Sequence, residues 1–188
     1  MTAELDRQKR YIYIVLSNTY SWTTRAIGLY TKAPYNHVSI ALDQHLEQMF
    51  SFGRLRPNRA LPGGFVHEKP REGTFARYKD TTCAIYRLEV TAEEYCKIRA
   101  AIAEFELERE NYRFNLVGFA GLAAGFPIQR KYAYFCSQFV STVLQKAGIK
   151  LVDKPPGLVK PSDFPNNKRL MLIYEGKLAD YNGVPAMA

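Results

Sequence analysis

The sequence predicts a fold that mixes β-strands with α-helices, and three observations carry the prediction. Runs of β-branched and aromatic residues, beginning with "YIYIVLSNT", recur before Thr91. At Thr91 the apolar period changes from that of a strand to that of a helix. A second helical pattern, "FCSQFVSTVLQKAGI", follows a Gly-rich stretch. The 188 residues suffice for one compact domain with a sizeable core and are too few for two ordinary ones. Residues 1–188 are therefore read as one domain.

Taken in order, Tyr11–Thr19 reads as a strand, and "YSWTTRAIGLYTK" as a short helix closed by Pro34. "NHVSIALD" and "LEQMFSFG" read as two strands joined by a tight polar turn around Asp43, Gln44 and His45. Pro and Gly throughout residues 54–73 predict a long surface loop, with at most a short strand at Phe65 and Val66. "TTCAIYRLEV" is the next strand. Thr91 and Glu94 form a capping box that opens an amphipathic helix of about five turns carrying Tyr95, Ile98, Ile102 and Phe105. Cys96 beside that stripe and Cys83 within its strand are read as packing residues. Residues 115–126 form a helix or coil of small residues. Gly118, Gly121 and Gly125 lack the strand-before, helix-after setting of a dinucleotide site. The helix after Cys136 is apolar through Phe139, Val140, Val143, Leu144 and Ala147. Lys146 suits its C-terminal dipole and Gly148 its left-handed stop. The tail ends in a strand at Leu170–Tyr174.

Composition narrows the function. Hydrophobic residues make up 47% of the chain and aromatics 13%, a globular balance. The net charge of +8 is spread from Arg7 to Lys177 in local pairs, without an arginine-rich tract or nucleic-acid module. No specific nucleic-acid partner is expected. The three cysteines lack CxxC spacing and the three histidines lack i, i+4 pairing, so neither a disulfide framework nor a metal site is expected, and no cofactor either. No apolar run reaches the roughly 18 to 20 residues that span a bilayer, and the N-terminus lacks a signal peptide's apolar region. A cytoplasmic location is the expectation.

Cys136 precedes the apolar periodicity of its helix by one turn, so the first-turn N–H groups point towards its sulfur. A helix N-terminus and a neighbouring histidine both favour the thiolate, which is the form that attacks a carbonyl. His37, at the start of its strand, is the histidine best placed to project into a cleft; His45 falls in a turn and His67 in the expected loop. The bland alternative is that Cys136 is buried filler, as free cysteines usually are.

"YNHVSIALD", followed 99 residues after its histidine by "YFCSQFVSTVLQKAGI" and then "KPSDF", resembles the permuted branch of the NlpC-type papain-like cysteine peptidases. That group is related to the lecithin:retinol acyltransferase-like enzymes. The resemblance covers most of the chain, and in the permuted branch the histidine strand precedes the cysteine helix, as here. It implies an α+β, papain-like fold with an antiparallel sheet packed against the cysteine helix. By position it implies Cys136 as nucleophile and His37 as general base and later acid. A third polar group usually sits on the strand after the histidine. Glu47, Gln48 and Ser51 are the residues on offer. A three-residue turn brings Ser51 to the histidine's face and a two-residue turn brings Gln48, with Ser51 preferred.

Tyr132, Tyr134 and Phe135 read as packing residues, or as a pocket wall with a hydroxyl near an oxyanion. Asp163 reads as a cap or as a carboxylate approaching the cleft. Three functions follow: a cysteine peptidase or amidase acting on a small peptide or cell-wall fragment, an acyltransferase or esterase acting on a lipid ester with the same pair, and a non-catalytic binding module. Lack of an acidic orienter is the main support for the third.

Overall fold

The computed structural model describes residues 9–19, 33–56 and 59–183. The helix expected between Tyr20 and Lys32 lies outside the described residues. The rest is an α+β arrangement around a six-stranded antiparallel sheet in the order β4-β3-β2-β1-β5-β8. The strands are β1 (Arg10–Asn18), β2 (His37–Ala41), β3 (Met49–Arg56), β4 (Arg59–Glu68), β5 (Thr82–Val90) and β8 (Leu170–Lys177). Among the described residues four α-helices accompany them: α1 (Gly73–Arg77), α2 (Ala92–Leu107), α3 (Leu116–Ala124) and α4 (Cys136–Lys146). Two short strands, β6 (Arg113–Phe114) and β7 (Ala133–Tyr134), pair in parallel beside α3 and α4.

β1 explains itself as a central strand. Ile12, Ile14 and Leu16 point into one apolar cluster with residues of α2 and α4, while Tyr13 and Val15 point into a second with Met49, Phe75, Ile85 and Leu178. A strand covered on both faces has no polar side to show, so "YIYIVL" carries no alternation. α4 lies in the first cluster. Its Phe139 is fully buried, with the rings of Phe52, Phe65 and Phe105 at 5.4, 5.6 and 5.0 Å. Full burial of such a side chain stabilises by roughly 1.5–3 kcal/mol. This packing fixes where the helix begins, and so where Cys136 stands.

α2 starts with the expected capping box: the Glu94 N–H donates to Thr91 Oγ1 at 3.1 Å, and the Thr91 N–H to Glu94 Oε2 at 2.7 Å. It buries Ile98, Ala101, Ile102 and Phe105, but Cys96 is exposed, which corrects its reading as a packing residue. Its neighbour on the helix is polar solvent-facing surface, not the stripe. Cys83 is buried, and burial pushes its thiol pKa up to about 12. At the end of α4 Gly148 takes the left-handed conformation, with φ of +83°.

The expectation of a long loop over residues 54–73 is corrected. β3 runs on to Arg56, and β4 returns beside it with Met49 opposite Glu68, Ser51 opposite Val66 and Phe52 opposite Phe65. Pro62 is tolerated because β4 is an outer strand, where a missing N–H need not break a central ladder. Gly63 is there because the chain is crowded: a Cβ at this position would lie 2.9 Å from the Gly53 carbonyl oxygen and 3.0 Å from Phe114 Cβ. Pro and Gly here serve a tightly packed edge. Among the described residues, no helix is long and apolar enough to cross a membrane.

Candidate active site

His37 opens β2, opposite Ser17 near the end of β1. Its side chain is 18% exposed. Its Nε2 lies 3.0 Å from Glu68 Oε1 and 3.3 Å from Oε2. The Ser39 hydroxyl, two residues along the strand, donates to Glu68 Oε2 at 2.5 Å. The carboxylate therefore meets the ring with both oxygens, Oε1 the nearer, and Ser39 holds it through Oε2.

Glu68 reaches the histidine from β4, across β3. They meet over Gly53 of β3, where a Cβ would lie in ordinary contact, 3.5 Å from Glu68 Oε1 and 3.7 Å from His37 Cε1, and a longer side chain would intrude. The acid was missed in the sequence because it lies in the stretch read as a loop. The signal that could have found it is the pairing of "MFSFG" with "GFVHE", which sets Glu68 opposite Met49.

Ser51, expected as the third member, is placed otherwise. β2 and β3 pair Ile40 with Phe50 and Ala41 with Met49, the register that carries Ser39 opposite Ser51. The fully buried Ser51 hydroxyl nevertheless donates to the Val38 carbonyl at 2.7 Å. It serves a backbone group where the ladder between the strands ends, while Glu68 meets the imidazole. Gln48 and Glu47 are exposed in the turn, where the Asp43 carboxylate accepts the backbone N–H of His45, Glu47 and Gln48.

Cys136 is the first residue of α4 and is 9% exposed. It stands close enough to the His37 ring for its interaction with the imidazole to count among the causes that raise the His37 pKa. With Nε2 engaged by Glu68, Nδ1 is the ring nitrogen left for the sulfur. Burial pulls the His37 pKa down, but the Glu68 carboxylate and the hydrogen bonds to Cys136 and Glu68 outweigh it, so the pKa stands well above its ordinary value near 6.5. No side chain caps α4, whose Phe135 carbonyl accepts the first helical bond from the Phe139 N–H. The backbone amides of Cys136 and its neighbours thus head the helix without a side-chain competitor.

A shallow cleft with room of about 30 Å³ reaches Cys136, with Phe119 and Leu122 of α3, Phe135, Asn36 and Lys160 among its walls. His37, on β2, is not among its lining residues. Tyr35, also in the cleft wall, donates its hydroxyl to Glu175 Oε1 at 2.8 Å. Tyr134 packs against Phe52 and Phe105 at 5.4 and 5.1 Å, and Tyr132 against Tyr112 at 5.4 Å, so both belong to the aromatic core. Asp163 is a cap: its Oδ2 accepts the Lys160 N–H at 2.9 Å and its Oδ1 the Lys154 ammonium at 2.8 Å. His45 lies in its turn, and His67 is exposed on β4 with Nε2 2.7 Å from the Glu47 carbonyl oxygen. Among the described residues, no group of three or more His, Cys, Asp or Glu side chains is placed to hold a metal ion.

No family model matches the chain, and neither a curated protein nor a solved structure matches it.

Proposed function

We propose that this chain is a cysteine-dependent hydrolase, a peptidase or amidase of the permuted NlpC-type papain-like group, acting on an amide bond of a small peptide or cell-wall-derived substrate. The observation that carries the reading is the Glu68–His37 contact, on a ring whose pKa Cys136 also raises, with that cysteine in the wall of a cleft. An acid, a histidine and a nucleophile in series match the division of labour in a Ser–His–Asp triad. The acid removes the main support for a non-catalytic module.

In this reading Glu68 accepts the Nε2 proton of His37 and holds the ring so that Nδ1 faces the sulfur. The Cys136 thiol passes its proton to Nδ1, and the thiolate forms a C–S bond to the substrate carbonyl carbon. The carbonyl π electrons move to oxygen, where first-turn amides of α4 can stabilise the charge. Collapse of the intermediate breaks the C–N bond as the imidazolium proton goes to the leaving amine. Water, deprotonated by the same ring, then attacks the thioester, releasing the acid and restoring the thiol.

The alternative of a lipid ester has an observation of its own. The cleft wall is apolar at Phe119, Leu122 and Phe135, and α3 and its end expose Leu116, Val117 and Phe126 at 53%, 48% and 70%. The deciding experiment screens matched amides, thioesters and lipid esters against the wild type, with Cys136→Ala as the blank. Amide turnover that Cys136→Ala abolishes, in a protein that still folds, is the expected result. Ester turnover alone would select the second reading, and no turnover on any class, with wild-type folding intact, would count against both.

A further inference from the structure

We infer that the cleft beside Cys136 takes an acyl substrate bearing a carboxylate, and that Lys160 is the residue that selects it. The inference rests on the hydrolase reading of the same site. Among the described residues, Lys160 is the one charged side chain in the cleft wall. The nearest candidate to neutralise it, Asp163, is already occupied. One of its oxygens takes the Lys160 backbone N–H and the other the Lys154 ammonium. No ion pair joins the Lys160 ammonium to a described residue. Outside the described residues the sequence holds only two acids, Glu4 and Asp6.

Position supports the role. The Ser137 hydroxyl donates to the Val159 carbonyl at 2.6 Å, which ties the residue after the nucleophile to the residue before Lys160. The backbone cap from Asp163 fixes the other side of Lys160. The ammonium therefore hangs from backbone that is pinned relative to Cys136. Among the described residues, a largely apolar wall with one cation suits a ligand with an apolar segment and one negative charge. A lysine is a point-charge partner that a carboxylate satisfies, whereas a phosphate dianion favours a cluster of cationic donors.

The test uses two alkylating reagents of similar size, iodoacetate and iodoacetamide, of which only the first carries a carboxylate. Exposed Cys96 is changed to serine, Cys83 is buried, and alkylation of Cys136 is followed by the mass of its peptide at low salt. The quantity read is the ratio of the iodoacetate rate constant to that of iodoacetamide. Lys160→Gln is expected to lower this ratio by about threefold to tenfold, through loss of one short-range charge attraction. Lys160→Arg, which keeps the charge, is expected to hold the wild-type ratio. A ratio unchanged in Lys160→Gln would overturn the inference. Failure of the hydrolase reading shows separately, as slow alkylation by both reagents with an ordinary thiol pH profile; the Lys160 dependence of the ratio still decides the contact.

Discussion

Glu68 Oε1 lies 3.0 Å from His37 Nε2, although the two residues are 31 positions apart and on strands separated by β3. The pairing gives the imidazole an anionic partner in a setting where only 18% and 12% of the two side chains is exposed. A buried carboxylate of this kind holds the ring's orientation and stabilises its protonated form, the two services an orienting acid provides.

Removing the charge while keeping the shape isolates that service. Glu68→Gln is predicted to lower kcat/KM by roughly 100- to 10,000-fold, the range over which positioned acid–base groups act. It should also lower the His37 pKa, read by NMR titration of the ring. A variant with unchanged kinetics and an unchanged His37 titration would remove Glu68 from the mechanism.

The same pair makes stability depend on pH, with a definite sign. The folded His37 pKa is raised above the unfolded value near 6.5. Its contribution is therefore fully present below about pH 6.5 and is lost as pH rises through the folded pKa. Denaturant unfolding of the wild type and Glu68→Gln should show a stability gap that is widest near pH 6 and narrows on the alkaline side. A gap that widens with pH would contradict the assignment.

Ser51 separates support from chemistry. Ser51→Ala leaves the Val38 carbonyl without its partner and is predicted to cost about 1–3 kcal/mol of stability. The pH dependence of Cys136 alkylation should stay at its wild-type position in the folded variant. A shifted alkylation profile would restore Ser51 as the group acting on the imidazole.

Gly53 offers a steric version of the Glu68 test. Its Cβ position meets Val66 Cγ2, Glu68 Oε1 and His37 Cε1 at 3.4, 3.5 and 3.7 Å, ordinary contact distances. Gly53→Ala should retain most activity. Gly53→Leu should push the carboxylate off the ring and reduce kcat/KM about as much as Glu68→Gln. Activity in Gly53→Leu equal to wild type would mean that the close approach over β3 is not needed.

What could be seen in the sequence, and what could not, follows from how far each signal reaches. The Thr91–Glu94 capping box and the stripe of α4 are local patterns, and both helices form where those patterns begin. Cys136 and His37 were visible because each heads an element with a clear period. Glu68 was hidden because its relation to His37 depends on two strand pairings, and because Pro62, Gly63 and Gly64 read as loop residues when a packed outer strand also uses them. The expected register of Ser51 agrees with the strand pairing, but register does not say which acceptor a hydroxyl will take, and it takes the Val38 carbonyl. Lys160 carries no local pattern at all; only the tie from Ser137 to Val159 brings it beside the cysteine.

Activation of Cys136 by His37 is read out by the rate of Cys136 alkylation by iodoacetamide as a function of pH. Fast alkylation well below pH ~8.5, where a free thiol ionises, is expected, with loss of that low-pH reactivity in His37→Ala. A wild-type profile that follows an ordinary thiol and is unchanged by His37→Ala would contradict it.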